Sequence, residues 1–299
     1  MKLKNKISNF LYRLFRTLIL KIRIIIPSLY RPGSDPFISG DTFRKLAKFK
    51  YETQNKFDPN DVLERDVIFV ETNLVEDYFK NIHHKINEKY ILITHNSIES
   101  LSNKYISLND NKIIHWFSEN LEIKNNENFS PLPLGLENKR YLKNGRTKYF
   151  NLDIKKYSVK KQSTLLCSFA TQTNKIERQK VYDIAKTLNF CEIKLFKKRD
   201  DYIKHLSSYK FNLCPIGAGL DTHRFWESLL VGTIPIVKKN NLIENFANYN
   251  IPMLILDEWT DLQSFDVQHL NEVYDKQIQL LYDSDTLLFD FWKKLILEA

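Results

Sequence analysis

The chain has 299 residues, more than one ordinary domain needs, and 43% of them are hydrophobic and 13% aromatic, which excludes disorder over most of its length. The formal net charge of +9 calls for an anionic partner, and nucleic acid, an anionic membrane and a phosphate-bearing substrate all satisfy it. The basic residues carry neither an RNA-binding aromatic signature nor zinc-finger spacing, so nucleic acid is set aside as a partner.

Residues Met1 to Ile26 have the outline of a signal anchor, but Arg13, Arg16, Lys21 and Arg23 interrupt it and leave no uncharged run long enough to span a bilayer. No small-residue cleavage site follows. Ile7, Phe10, Leu11, Leu14, Phe15, Leu18, Ile19 and Ile22 recur at three- and four-residue steps, which predicts a basic amphipathic helix over 1–30. Such a helix lies on an anionic membrane surface or packs on the protein's own body, and the membrane surface is the expected partner. Pro27 and Pro32-Gly33 end it.

Short apolar runs then alternate with helical stretches. Strands are expected at Asp66 to Glu71, Tyr90 to Thr94, Lys112 to Phe117 and Phe129 to Leu134, with a helix at Val75 to Ile86. A polar stretch from Glu137 to Gln162 breaks the rhythm, which divides the chain into an N-terminal domain over 31–145, a linker over 146–162 and a C-terminal domain over 163–299. In the latter, strands are expected at Ser163 to Phe169, Cys191 to Phe196, Phe211 to Cys214, Ile234 to Val237 and Met253 to Leu256. The matching helices are Lys175 to Leu188, Asp200 to Ser208, Thr222 to Val231 and Leu242 to Asn248, with two more near His269 to Tyr282 and Thr286 to Leu297. Lys197, Lys198 and Arg199 read as a solvated approach to a helix. Two α/β domains of doubly wound, Rossmann-like type are thus predicted, with ligands at the carboxyl ends of the strands. Cys167, Cys191 and Cys214 fall in the buried strands, form neither a disulfide framework nor a CxxC pair, and point to a reducing, cytoplasmic setting, peripheral to the membrane where residues 1–26 dock.

The chemistry concentrates in Lys210 to Val237, KFNLCPIGAGLDTHRFWESLLVGTIPIV. A buried strand runs into a loop with Gly217 and Gly219, whose freedom at positive φ suits close approach of a ligand. A helix capped near Asp221 or Thr222 follows, and its free N–H groups suit a phosphate. Arg224 in the first turn is a fork for phosphate oxygens, and Glu227, on the same face, is a carboxylate for ribose hydroxyls. Equally, Arg224 and Glu227 pair with each other on a structural helix, and spacing alone leaves both readings open.

This stretch resembles the signature of the exostosin-like (family 47) glycosyltransferases. The matching positions are Cys214-Pro215, Gly217, Gly219, Arg224, Glu227 and the strand Gly232-Thr233-Ile234-Pro235-Ile236. Looser similarity covers Pro32 to Arg44, Thr94 to Ser97, His115-Trp116-Phe117 and Pro133 to Asn138, so that the likeness spans most of the chain from Arg31 onward. The resemblance implies a GT-B fold with two Rossmann-like domains facing a central cleft, a nucleotide-sugar donor on the C-terminal side and a glycan or other hydroxyl acceptor on the N-terminal side. It implies inverting, metal-independent transfer in surface polysaccharide or glycoconjugate synthesis, and no cofactor. Arg224 would stabilise the departing diphosphate, Glu227 would hold the ribose, and Arg178, behind the loop Phe169 to Asn174, would line the other side of the phosphates. The N-terminus departs from the animal members, which carry a true membrane anchor.

An inverting transferase needs a base on the acceptor side. His95, after a predicted strand, is the expected residue, with Asp41, His115 and Glu137 as rivals. Asp283-Ser284-Asp285 has DxD form but follows a helix, so Asp285 is read as the N-cap of the last helix and no metal is expected. Two other classes compete. A dinucleotide-dependent dehydrogenase lacks its glycine fingerprint here, and a catalytically silent, membrane-associated nucleotide- or glycan-binding protein would keep the fold without the reaction.

Overall fold

A computed structural model describes residues 30–299 apart from 125, 142, 159, 160 and 162. The amphipathic helix expected over 1–30 lies outside the described residues, apart from Tyr30. Among the described residues no helix is long and apolar enough to cross a membrane.

Two wholly parallel sheets of five strands organise the chain. The first contains β1 (Phe49–Tyr51), β2 (Val67–Glu71), β3 (Tyr90–His95), β4 (Ile113–Ser118) and β5 (Phe129–Pro131), in that order. Its centre is apolar on both faces: Val67, Ile68, Phe69 and Val70 are buried, as are Tyr90 to Ile93. Unbroken apolar runs of this kind suit a parallel sheet covered on both sides. Helices α1 (Gly40–Leu46) and α2 (Val75–Asn81) accompany it. The helix expected over Val75 to Ile86 stops at Asn81 and gives way to a 3-10 turn at His83–Lys85.

Between the two sheets the chain holds a short helix, α3 (Lys155–Ser158). The second sheet follows, with β6 (Ser163–Cys167), β7 (Cys191–Ile193), β8 (Tyr209–Leu213), β9 (Ile234–Lys238) and β10 (Leu254–Leu256) in the order β10-β9-β8-β6-β7. Helices α4 (Lys175–Ala185), α5 (Arg199–Leu206), α6 (His223–Leu229), α7 (Asn241–Ala247) and α8 (Val267–Tyr282) connect and cover the strands. Their starts follow from capping: Asn174 accepts from Glu177 N–H, Asn240 from Ile243 N–H, and Asp266 from His269 N–H at 2.7 Å. In α8, Leu270, Tyr274, Ile278 and Leu281 recur at helical spacing and are all buried against the domain.

The two strand orders differ in a way that places the site. The first sheet runs in sequence order, so right-handed crossovers fall on one of its faces. The second reverses direction between β6 and β8, where the connections on either side diverge and leave a crevice at the strands' carboxyl ends. The loops after β6 and β8 are therefore the ones that open on a ligand site.

The last helix, α9 (Phe289–Glu298), sits across the division expected at 163–299. Phe289 packs on Phe43 of α1 with ring centres 5.6 Å apart, its N–H donates to Pro36 O at 2.9 Å, and Leu288 bridges Phe37. Arg65 closes the same contact by donating to Ala299 O at 2.6 Å. The N-cap expected at Asp285 is not formed. Leu288 occupies that position without a side-chain cap, and Asp285 instead accepts the Leu288 N–H through its backbone carbonyl.

Candidate functional site

Between the domains lies a cleft of about 840 Å³. It is floored on the C-terminal side by the loops after β6 and β8, and on the other side by 96–98, 119–120, 134, 137–138, 140–141 and 143–144. Arg140, Lys143, Arg178, Lys197, Lys198, Arg199 and Arg224 line it, against the carboxylates Glu119, Glu137, Asp221 and Glu227, so the cleft is net cationic.

Arg178, on α4, and Arg224, on α6, both reach the loop after β6 and sit over the Phe169 ring, each guanidinium 5.7 Å from its centre. Backbone carbonyls hold them. Arg178 donates to Ile216 O at 2.8 Å and Ala170 O at 3.0 Å, and Arg224 donates to Ser168 O at 3.0 Å. Among the described residues no carboxylate pairs with either. Burial and the neighbouring Arg224 charge pull Arg178 down to about 10, the signature of two cations held together without an anion between them. Carbonyls fix the geometry of a guanidinium but cannot neutralise it, so the pair is preorganised for an anionic ligand.

Arg224 and Glu227 do not pair with each other. Glu227 is buried, and its Oε1 lies 2.7 Å from Arg199. Arg199 therefore departs from the solvated reading given to Lys197, Lys198 and Arg199: its side chain is only 12% exposed and turns into the cleft wall, while the two lysines remain exposed. A run of basic letters conceals this, because only the partner on α6 distinguishes the third residue from the first two.

The two loop glycines also act differently from expectation, since neither adopts positive φ. A Cβ on Gly217 would stand 3.0 Å from the Arg178 guanidinium, and one on Gly219 would stand 2.9 Å from Asn120 Nδ2 of the other domain. Gly217 thus makes room for an arginine and Gly219 for the facing domain. Thr222 occupies the N-cap position of α6 without a side-chain bond. Asp221 is the structural residue here: its carboxylate accepts from Thr222 N–H, Trp226 Nε1–H and, across the cleft, Leu134 N–H at 2.8 Å. Its own N–H donates to Asn120 Oδ1 at 2.9 Å. Burial pushes the Asp221 carboxyl up to about 6 even though these N–H donors favour the ionised form.

On the N-terminal side, the segments 32–44, 94–97 and 133–138 converge. Asp41 N–H donates to Asn138 Oδ1, Asn138 Nδ2 to Asn96 Oδ1, and Asn96 Nδ2 to Asp41 Oδ1. His95 sits beneath this triangle, fully buried and outside the cleft lining, so it does not reach a ligand as a base must. Its Nε2 faces Pro133 O at 3.1 Å and its Nδ1 lies 2.6 Å from Glu119. Burial opposes charging of the ring, but the Glu119 carboxylate outweighs it and the pKa is raised. Asp41 is likewise buried, paired with Arg31 at 2.7 Å. His115 faces Ser130 Oγ at 2.9 Å, away from the cleft, and burial pulls it down to about 4.

Glu137 alone of the four reaches the cleft. It meets a residue that the sequence reading passed over, His223, the first residue of α6, whose Nε2 lies 3.6 Å from Glu137 Oε2. The only sequence signal for His223 was its place beside Arg224, which by itself names no role.

Among the described residues no group of three His, Cys, Asp or Glu is placed to hold a metal ion. Cys167 and Cys214 are buried free thiols, pushed up to about 12 by burial, and belong to the core.

No protein-family model matches the chain, and no curated protein matches it. Solved structures with a similar arrangement include apo OtsA, at 8% identity and a TM-score of 0.45 over 78% of this chain and 72% of that one. Another is the pneumococcal O-GlcNAc transferase GtfA in complex with UDP and GlcNAc, at 11% identity and a TM-score of 0.34 over 79% of this chain and 54% of that one. A third is a variant of S. aureus TarM in complex with fondaparinux, α-GlcNAc-glycerol and UDP, at 13% identity and a TM-score of 0.36 over 78% of this chain and 51% of that one. The chain thus spans little more than half the length of the last two. The fold itself is read from this chain's own topology: two parallel α/β domains around a central cleft.

Proposed function

We propose that the chain transfers a sugar from a nucleotide-sugar donor to a hydroxyl acceptor, as an exostosin-like enzyme of surface polysaccharide or glycoconjugate synthesis. One observation carries this reading: Arg178 and Arg224 are held side by side by backbone carbonyls at the switch point of the second sheet, with no carboxylate of the described residues to neutralise them. A diphosphate fits such a pair, and its growing charge as it leaves is what two preorganised cations stabilise. Supplying that charge by arginine is the basis for reading the transfer as metal-independent. Glu227, its charge balanced by Arg199, takes the ribose hydroxyls. The acceptor enters past Glu137 and Arg140, and attack from the side opposite the diphosphate makes the transfer inverting.

Calorimetry with UDP, GDP and NAD tests the donor. UDP or GDP should bind and NAD should not. Arg224→Ala should weaken the bound nucleotide by about 1.5–3 kcal/mol, the worth of hydrogen bonds to a charged group. Unchanged affinity in a folded Arg224→Ala protein would remove the reading. A protein that binds nucleotide yet releases no nucleoside diphosphate from any sugar donor would favour the silent binding protein instead.

A further inference from the structure

We infer that His223 is the base that takes the acceptor's proton, with the Glu137 carboxylate as its charge partner; this rests on the glycosyl-transfer reading above. The tautomer is fixed by chemistry. His223 Nδ1 lies 2.8 Å from Gly135 O, and a carbonyl only accepts, so Nδ1 carries the proton and Nε2 is left with its lone pair. Nε2 faces the cleft, where His223 is 31% and Glu137 22% exposed, enough for a ligand to reach both.

The carbonyl that orients the ring is itself rigid. Gly135 has φ of +66°, and a Cβ there would stand 2.4 Å from Ile38 O, so only glycine fits. Leu136 N–H donates to the same Ile38 O at 2.8 Å, which pins the segment to the approach of α1. Glu137 is fixed as well, its Oε1 accepting from Asn138 N–H at 2.9 Å while Oε2 points to His223. The ring belongs to one domain and both of its partners to the other. The base is therefore assembled only while the domains are in contact, next to Arg224, the residue that would meet the leaving group.

In the step, the acceptor oxygen forms its bond to the anomeric carbon as the bond from that carbon to the diphosphate oxygen breaks. The hydroxyl proton passes to His223 Nε2, the departing electron pair stays on the nucleoside diphosphate beside Arg178 and Arg224, and Glu137 faces the imidazolium that results.

The test separates this role from a merely structural one. His223→Asn places an amide where Nδ1 was, so it keeps the donor to Gly135 O and removes the base, whereas His223→Ala removes both. Nucleotide affinity is read by calorimetry with UDP and GDP. Turnover is read as nucleoside diphosphate release from a panel of UDP- and GDP-sugars with mixed oligosaccharide acceptors. His223→Asn should bind nucleotide as the parent does and lose about 10²- to 10⁴-fold in turnover, the usual contribution of a positioned base. Added imidazole should restore part of the rate in His223→Ala. Undiminished turnover in His223→Asn would overturn the base and leave the transferase intact. Failure of the parent protein to bind either nucleotide would overturn the transferase reading and the base together.

Discussion

Arg31 and Arg44 in the first domain draw on the carboxylates of Asp41, Glu52 and Glu71, whereas across the cleft Arg178 and Arg224 have none among the described residues. Arg31, Arg44 and Arg178 are largely shielded from solvent and Arg224 is half-buried, so burial alone does not separate the two pairs. What separates them is the acceptor. Carboxylates in the first case cancel the charge and lock the loop before α1 onto β1 and β2. Carbonyls in the second hold the side chains in place and leave the charge unspent. A paired buried arginine is a structural tie, and an unpaired one held by carbonyls is a socket.

The largest effect expected from this contrast is on stability. Glu52→Ala takes away the carboxylate that Arg31 and Arg44 share and leaves two shielded cations short of a partner, which should cost about 3–5 kcal/mol in urea unfolding. On the other side of the cleft, Arg178→Ala should lower UDP or GDP affinity by about 1.5–3 kcal/mol. Its stability cost should be far smaller than that of Glu52→Ala, since relief of repulsion from Arg224 offsets the two lost carbonyl bonds. Equal stability losses in the two variants would erase the distinction.

Acid should act on the tie and spare the socket. Burial raises the Glu52 carboxyl, but the Arg44 hydrogen bonds and the Arg31 charge outweigh it and hold it below 4.5. A depressed carboxyl contributes its stability above the unfolded value and loses it as pH falls through the folded one. The parent protein should therefore lose stability steeply only below about pH 4.5, and Glu52→Gln should flatten that slope. The smallest effect is expected at Gly219→Ala. Its new methyl meets the end of the Asn120 side chain, which can move aside, so the cost should be about 1 kcal/mol, at the low end for overpacking. A loss as large as that of Glu52→Ala would mean that the contact between domains is as rigid as the buried network.

The alternation of apolar runs and helical stretches was enough to read most of the strands and helices, because buried parallel strands are written as unbroken hydrophobic letters. It failed at β1, where Phe49–Tyr51 is short and interleaved with Lys48 and Lys50, and at α1, whose buried residues include Gly40, Asp41 and Thr42. Strand β1 is held by its pairing with β2, and α1 by the ion pairs of Asp41 and Arg44, in each case through distant partners that no local window contains. The site divides in the same way. The place of Arg224 and Glu227 on one cleft wall was legible because they share one helix with a glycine loop before it. Arg199, Asp221 and His223 draw their roles from Glu227, Leu134 and Gly135, and the last two of these belong to the other domain. His95 misled because a histidine after a strand is read as a loop residue, whereas here the strand runs through it and α1 covers it.

Helix α9 gives the two domains a second tether. The chain passes from the first sheet to the second between β5 and β6 and returns after α8 to lie on α1, where Phe289 and Phe43 meet, while Trp292 also touches Tyr249, their ring centres 5.2 Å apart. A body joined at one point can tumble about it, but one joined at two can only swing about the line between them. The two connections together restrict how the domains can move against each other, and so favour the register in which His223 Nδ1 meets Gly135 O.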